Sequence, residues 1–113
     1  MKNILVIGGG GYTGGILVPE LIKDGWNVKI YDTFWYGKEH LPNSPNLELI
    51  EGDVRDIKNI ILALRNVNFV LHLACISNDA SFELDSKLSQ TVNYDSFEPI
   101  VIASKENGVK RFV

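Results

Sequence analysis

The chain has 113 residues, of which 45% are hydrophobic and 22% charged, a size and composition typical of one globular domain over residues 1–113. Its formal charge of −3 comes from 11 basic and 14 acidic residues that are scattered along the chain, so we expect no basic surface for nucleic acid. The apolar run at the start is too short for a signal peptide or a membrane span, and the lone Cys75 cannot form an intrachain disulfide. These features predict a cytoplasmic protein that binds neither nucleic acid nor membrane.

The first predicted unit is a strand, a glycine-rich turn and a helix. Residues 3–7, NILVI, form an apolar run that predicts a strand buried on both faces. The stretch VIGGGGYTGG at 6–15 then supplies the turn, and from Tyr12 apolar residues recur at helical spacing until Gly25, which predicts the helix end. Pro19 predicts a slight bend within this helix.

The rest of the chain continues the alternation of strands and helices. The predicted elements are strands at 27–32, 47–53 and 69–75, helices at 57–64 and 85–108, a loop at 33–46, and the start of a fifth strand at 110–113. Strands that alternate with crossover helices indicate an α/β fold with a parallel sheet. We therefore predict a Rossmann-like, doubly wound parallel sheet that is truncated at the start of its fifth strand.

The glycine-rich turn fits a dinucleotide-binding motif in its expected place between strand and helix. The sequence matches Gly9-x-Gly11-x-x-Gly14 and, equally, Gly8-x-x-Gly11-x-x-Gly14. In this motif a first glycine makes the tight turn, Gly11 lets a pyrophosphate approach the backbone, and Gly14 lets the helix pack closely on the strand. The start of the helix offers N–H groups to the phosphates. A glycine-rich turn without a ligand is the alternative interpretation.

A carboxylate completes this motif at the end of the second predicted strand. Asp32 follows Gly14 at about the 20-residue spacing at which a carboxylate accepts ribose hydroxyls, and its neighbour Thr33 is included in the candidate site. A negative charge there would repel the 2′-phosphate of NADP, and Lys38 is the nearest cation, so we expect NAD as the cofactor. A helix cap or a solvated strand end is the alternative role for Asp32.

Four stretches together resemble the NAD-dependent epimerases and dehydratases of nucleotide sugars, which are extended short-chain dehydrogenase/reductases. They are GGGGYTGG, EGDVRD at 51–56, VLHLACIS at 70–77 and TVNYDSF at 91–97. The resemblance implies that the phosphates are bound around Gly8, Gly11, Tyr12, Thr13 and Gly14. It also implies adenine contacts from Asp53 and Val54, and contacts on the nicotinamide side from Leu73, Ala74, Cys75, Ser77 and Asn93.

Several of these residues also have an ordinary structural interpretation. Asp53 and Gly52 could form a simple turn, and Asn93 could be solvated on a helix. His72, between two leucines of a predicted buried strand, is interpreted as a satisfied core histidine, and Cys75 as a small buried hydrophobe.

The resemblance implies an enzyme that binds a nucleotide sugar, transfers a hydride transiently to tightly held NAD, and forms a homo-oligomer. The catalytic Tyr-x-x-x-Lys pair of that family is not found, because no tyrosine of the chain is followed by lysine four positions later. We therefore expect no catalytic residue and no metal site in these residues, and we interpret the chain as the NAD-binding part of an enzyme whose catalytic and sugar-binding part is absent. The alternative hypothesis is a non-catalytic NAD-sensing or interaction module with the same fold.

Overall fold

The structure is a computed structural model that describes residues 2–34, 37–39, 41–73 and 97–113. Strands and helices alternate along this part of the chain, except that the second and third strands follow one another without a described helix between them. In chain order they are β1 (Asn3–Ile7), α1 (Tyr12–Lys23), β2 (Asn27–Asp32), β3 (Leu47–Glu51), α2 (Ile57–Ala63), β4 (Phe69–His72), α3 (Phe97–Glu106) and β5 (Arg111–Phe112).

The five strands form one parallel sheet in the order β3-β2-β1-β4-β5. The chain moves outward from β1 to β3, returns to the other side of β1 for β4, and then continues to β5. This order is that of a doubly wound Rossmann-like sheet, which confirms the predicted fold class. The direction of winding reverses between β1 and β4.

Both faces of the sheet are covered by apolar packing. Leu5 and Ile7 of β1 lie in a cluster with Ile60 of α2 and Ile100 of α3. Ile4 and Val6, the residues of β1 that alternate with these, lie in a second cluster with Val18 of α1. Because successive side chains of a strand point to opposite faces, a continuous apolar run such as β1 can fill both clusters.

The predicted element boundaries agree closely with the structure for the first half of the chain. Helix α1 continues through Pro19, and positive φ values of 90° at Gly25 and 79° at Gly108 follow the ends of α1 and α3. The strands predicted at 47–53 and 69–75 end earlier, at Glu51 and His72. The helix predicted at 85–108 is described only from Phe97, and its earlier residues lie outside the described part of the chain.

Candidate functional site

The glycine-rich turn lies at the carboxyl end of β1, beside the point where the winding reverses. Ligands of open α/β sheets bind in the crevice outside the strand ends at such a point. The end of β4 at His72 is in register with Ile7 of β1. The turn, the ends of β1 and β4 and the start of α1 therefore lie at the same edge of the sheet.

Two of the glycines are required by the shape of the turn. Gly8 has a φ of 85°, which favours glycine, and its N–H donates to the carbonyl of Tyr31 over 2.7 Å. A Cβ at Gly14 would overlap the backbone of Gly9, so only glycine lets α1 approach the turn this closely.

Gly11 differs from these two glycines because a side chain added there would face open space. It is the N-cap of α1 with a φ of −87°, and the nearest atom to an added Cβ would be the Gly8 carbonyl oxygen at 3.8 Å. A side chain would therefore fit the folded chain but would occupy the space above the helix start. That space is the place where the sequence motif predicts a pyrophosphate.

The start of α1 is electrostatically suited to an anion. The first turn has no acidic residue, and its N-cap, Gly11, contributes no side-chain hydrogen bond. The N–H groups of Tyr12, Thr13 and Gly14 have no acceptor within the helix, since the helical bonds begin with Gly15 donating to Gly11 over 2.9 Å. Free N–H groups at the positive end of the helix dipole bind phosphates readily.

Asp32 lies at the end of β2, where its carboxylate holds the turn and the following loop together. Oδ2 accepts the N–H of Gly10 over 2.9 Å, and Oδ1 accepts the N–H of Phe34 over 2.7 Å. The Thr33 hydroxyl donates to the same Oδ1 over 3.4 Å. A carboxylate has about four acceptor positions, so capacity remains for a ribose hydroxyl.

The residues after Asp32 bring a cation and a second carboxylate to this end of the sheet. Phe34 is buried with a φ of 58°, and the ammonium of Lys38 lies 4.9 Å from the centre of its ring. Lys38 also pairs with Glu51 over 3.8 Å. Glu51 is the register partner of Asp32 on β3, so Lys38 is engaged by groups other than Asp32.

Asp53 follows β3, and its carboxylate is held by Arg55. Both oxygens accept bonds from the guanidinium, over 2.9 Å from Nε and 2.6 Å from Nη2, and Oδ1 also accepts the Arg55 N–H over 2.8 Å. These bonds hold the pKa of the Asp53 carboxyl below its usual value, against a smaller opposing effect of burial. Val54 is buried in the cluster under α2 and α3.

The end of β4 carries the last described residues of the predicted site. The Leu73 N–H donates to the carbonyl of Ile7 over 2.7 Å, which holds it beside β1. The ring of His72 packs against Phe97 and Phe112 at centroid distances of 5.8 Å and 6.0 Å, and burial lowers the pKa of its imidazole. Within the described part of the chain its Nε2 has no hydrogen-bond partner, which differs from the expectation of a satisfied core histidine. The remaining predicted residues, Ala74, Cys75, Ser77 and Asn93, lie outside the described residues.

Sequence reasoning missed three residues that organise this site. Gly10 donates to Asp32, and an added Cβ there would crowd both Asp32 and the Phe34 ring. Tyr31 is buried, and its hydroxyl donates to the carbonyl of Asp53 over 2.7 Å. The third is Arg55, the partner of Asp53. Gly10 and Arg55 had a local signal, because they lie within the stretches VIGGGGYTGG and EGDVRD.

Among the described residues, histidine, cysteine, aspartate and glutamate side chains form no group that could hold a metal ion. The helices in that same part of the chain are too short or too polar to cross a membrane.

A glycine-rich turn at the reversal point, a helix start without acidic residues and a carboxylate at the end of β2 define a Rossmann-type dinucleotide-binding domain. The sequence model of the 3-beta hydroxysteroid dehydrogenase/isomerase family matches residues 5–113, and the chain belongs to this family.

Individual proteins support the resemblance to nucleotide-sugar enzymes. The chain is 29% identical to a UDP-N-acetylglucosamine 4,6-dehydratase (inverting) of Campylobacter jejuni, over 99% of this chain and 35% of that protein. It is similar to the epimerase Mth375 of Methanothermobacter thermautotrophicus, with a TM-score of 0.91 and 28% identity over 98% of this chain and 34% of that chain. A UDP-glucose 4-epimerase of Thermus thermophilus, solved in complex with NAD, gives a TM-score of 0.86 and 26% identity over 97% and 36%. The predicted resemblance to epimerases and dehydratases is thus confirmed, and the chain spans about a third of the length of these proteins.

Proposed function

We propose that this chain binds NAD and forms the cofactor-binding part of an NAD-dependent enzyme of the nucleotide-sugar epimerase and dehydratase type. The observation that carries the proposal is the open space at Gly11, above the start of α1 and beside the turn that Asp32 closes. The expected cofactor agrees with the NAD named for the Thermus thermophilus epimerase.

The described residues support binding of the pyrophosphate and the adenosine of this dinucleotide. The backbone at Gly8, Gly11, Tyr12, Thr13 and Gly14 would hold the pyrophosphate, because the N–H groups at the start of α1 lack helical acceptors. Asp32 and Thr33 would hold the adenosine ribose, and Asp53 and Val54 the adenine. The nicotinamide side of NAD would be contacted by Leu73 and by four predicted residues outside the described part, Ala74, Cys75, Ser77 and Asn93.

The charges near Asp32 favour NAD over NADP. A 2′-phosphate would lie close to the carboxylate of Asp32, and Glu51 stands beside Asp32 on the neighbouring strand. Lys38, which could otherwise attract that phosphate, is paired with Glu51. Like charges a few ångströms apart repel, and this repulsion discriminates against the phosphorylated cofactor.

The chemistry of the whole protein follows from the cofactor and from the similar enzymes. When bound, NAD accepts a hydride from a carbon of the substrate, and this part of the chain binds and orients it. We propose a nucleotide sugar as the substrate, a homo-oligomer as the assembly, and catalytic residues outside these 113 residues. The alternative, a non-catalytic NAD-sensing module, finds no support in the similar proteins described above, all of which are named as enzymes.

Titration with NAD, by calorimetry and by thermal unfolding, tests the proposal on the wild type and on Gly11→Val. NAD at a hundredfold excess over its Kd should stabilise the wild type by about 2.7 kcal/mol. Gly11→Val should fold with a loss of about 1 kcal/mol, because its Cβ has no atom nearer than 3.8 Å and the N-cap is weakened, yet it should not bind NAD.

Glu20→Val is the matched control, because it adds the same side chain to an exposed position of the same helix away from the turn. It should bind NAD as the wild type does. Unchanged NAD affinity in folded Gly11→Val would contradict the proposed site.

A further inference from the structure

The hydroxyl of Tyr31 links the second strand to the segment that follows the third. Tyr31 lies in β2 opposite Ile50 of β3, and its side chain has an exposed fraction of 0%. A phenylalanine would fill the same apolar space without a polar atom to satisfy. The hydroxyl instead donates to the backbone carbonyl of Asp53 over 2.7 Å.

Gly52 brings that segment against the same tyrosine. A Cβ at Gly52 would overlap the hydroxyl and the ring of Tyr31, so the backbone after β3 rests directly on this side chain. The Gly52 N–H donates to the carbonyl of Asp32 over 2.9 Å. Two successive residues of the segment, Gly52 and Asp53, are therefore bonded to β2. The β2 partner of Gly52 is Asp32, which belongs to the candidate ribose site.

The backbone position of Asp53 determines where its carboxylate lies. Arg55 takes up one side of the carboxylate with its guanidinium, and the Asp53 carbonyl also accepts the N–H of Asp56 over 3.0 Å. Loss of the tyrosine hydroxyl would leave the carbonyl with this second bond. The segment would then keep its turn and the bond from Gly52 to Asp32, but Asp53 itself would lose its bond to β2.

We infer that Tyr31 is a positioning residue that holds Asp53 where it distinguishes a 6-aminopurine from a 6-oxopurine. This inference rests on the proposed function, in which Asp53 contacts the adenine. An ionised carboxylate only accepts hydrogen bonds, so it is matched by the 6-amino group of adenine and opposed by the 6-oxo group of hypoxanthine. That discrimination depends on placement, because a displaced carboxylate contacts neither group.

The experiment compares the dissociation constants of AMP and IMP by calorimetry for the wild type and Tyr31→Phe. The wild type should prefer AMP. Tyr31→Phe should bind AMP about fivefold to tenfold more weakly, which corresponds to one hydrogen bond, and the ratio of the two constants should approach one because IMP gains nothing from the tyrosine.

Ser104→Ala is the matched control for the loss of a buried hydroxyl. The Ser104 hydroxyl donates to the carbonyl of Ile100 over 2.8 Å within α3, away from the candidate site. This variant should bind both nucleotides as the wild type does, even where its melting temperature falls. A change in the ratio here would mean that general destabilisation moves it, and would overturn the inference.

The outcomes separate the inference from the proposed function. A wild type that binds neither AMP nor NAD contradicts the proposed function itself. A wild type that prefers AMP, with a folded Tyr31→Phe of unchanged preference, overturns only the role of Tyr31. If Tyr31→Phe does not fold, Gly52→Ala tests the inference, because its added Cβ displaces the same segment while the tyrosine is kept. An unchanged ratio of the AMP and IMP dissociation constants in that variant also overturns the inference.

Discussion

Asp32 serves the fold and the candidate site with the same two oxygens. It closes the glycine turn through Gly10 and starts the next loop through Phe34, while its charge faces the place proposed for the ribose. Removing the side chain therefore does more than remove a ligand contact. Two backbone N–H groups lose their acceptor, at a cost of about 1–3 kcal/mol each where water cannot replace it.

Two substitutions of Asp32 remove its charge while disturbing the turn to different degrees. Asp32→Asn removes the charge and keeps one acceptor oxygen, so only one of the two backbone N–H groups of Gly10 and Phe34 keeps its acceptor. We expect NAD affinity to fall about tenfold and NADP affinity to fall less or to rise. Asp32→Ala should weaken both cofactors and lower the melting temperature further. Calorimetric titration of both cofactors measures this, and an unchanged preference for NAD in Asp32→Asn would contradict the assigned role.

Tyr31 predicts a dependence of stability on alkaline pH. Burial, together with the charge of Asp56, raises the pKa of its hydroxyl to about 12, against an unfolded value of about 10. A group whose pKa is raised by folding stabilises the protein below its unfolded pKa, and this stabilisation is lost as the pH rises through about 10 to 12.

Urea unfolding at pH 8 and at pH 11 checks this with Tyr31→Phe as the reference, because that variant lacks the titrating group while it shares every lysine. The wild type should be more stable than the variant at pH 8, and the difference should shrink at pH 11. A difference that stays constant or grows would contradict the prediction, because it would mean that the pKa of Tyr31 is no higher in the folded chain than in the unfolded one.

At the scale of elements, the start of α1 is held against the end of β1 by backbone contact. Gly14 lies so close to Gly9 that a single added carbon would overlap main-chain atoms, which cannot rotate away as a side chain can. This close approach sets the helix start directly above the turn. The same geometry that packs the elements therefore points the helix N–H groups into the crevice.

Gly14→Ala should consequently lose about 1–3 kcal/mol of unfolding free energy through overpacking, even though alanine is the better helix former. Gly11→Ala is the matched comparison, since its Cβ has no atom nearer than 3.8 Å. Urea midpoints of the two variants give the test: Gly14→Ala should fall well below Gly11→Ala. Equal midpoints would mean that the helix and the turn can separate without cost.

At the scale of the whole molecule, stability depends on packing against both faces of one sheet. The cluster under α2 and α3 joins distant parts of the chain, from Leu5 near the start to Ile100 and Ala103. Helix α3 also carries Ile102, which is 49% exposed where Ile100 is 0% exposed. One helix therefore offers an internal comparison between a core position and a surface position.

Ile100→Ala should destabilise the fold by about 2–5 kcal/mol, because the cavity it leaves is enclosed by the sheet and α2. Ile102→Ala removes the same atoms from a half-exposed position and should cost about 1 kcal/mol or less. Chemical unfolding monitored by circular dichroism distinguishes the two. Similar losses in both variants would show that α3 does not pack on the sheet through Ile100.

The amino-acid sequence by itself determined the elements and the kind of site. Apolar runs, helical periodicity and glycines with a positive φ are local signals, so β1, α1 and β2 were predicted with the boundaries that the structure has. The end of β4 was not, because a strand ends where its neighbour ceases to pair and not where its own apolar run stops. The motif at 8–14 and Asp32 could also be predicted without knowledge of distant contacts. Both are recognised by their spacing along one strand-turn-helix-strand unit.

Only the tertiary structure decided how the candidate site is assembled. The contact of Gly14 with Gly9, the bond from Gly10 to Asp32, and the bond from Tyr31 to Asp53 depend on the pairing and register of strands. Distance along the chain carries no signal for such pairs, and a buried tyrosine in an apolar strand resembles any other core residue. The sheet order β3-β2-β1-β4-β5 was decided in the same way, since it follows from how the helices cover both faces of a sheet that no single segment contains.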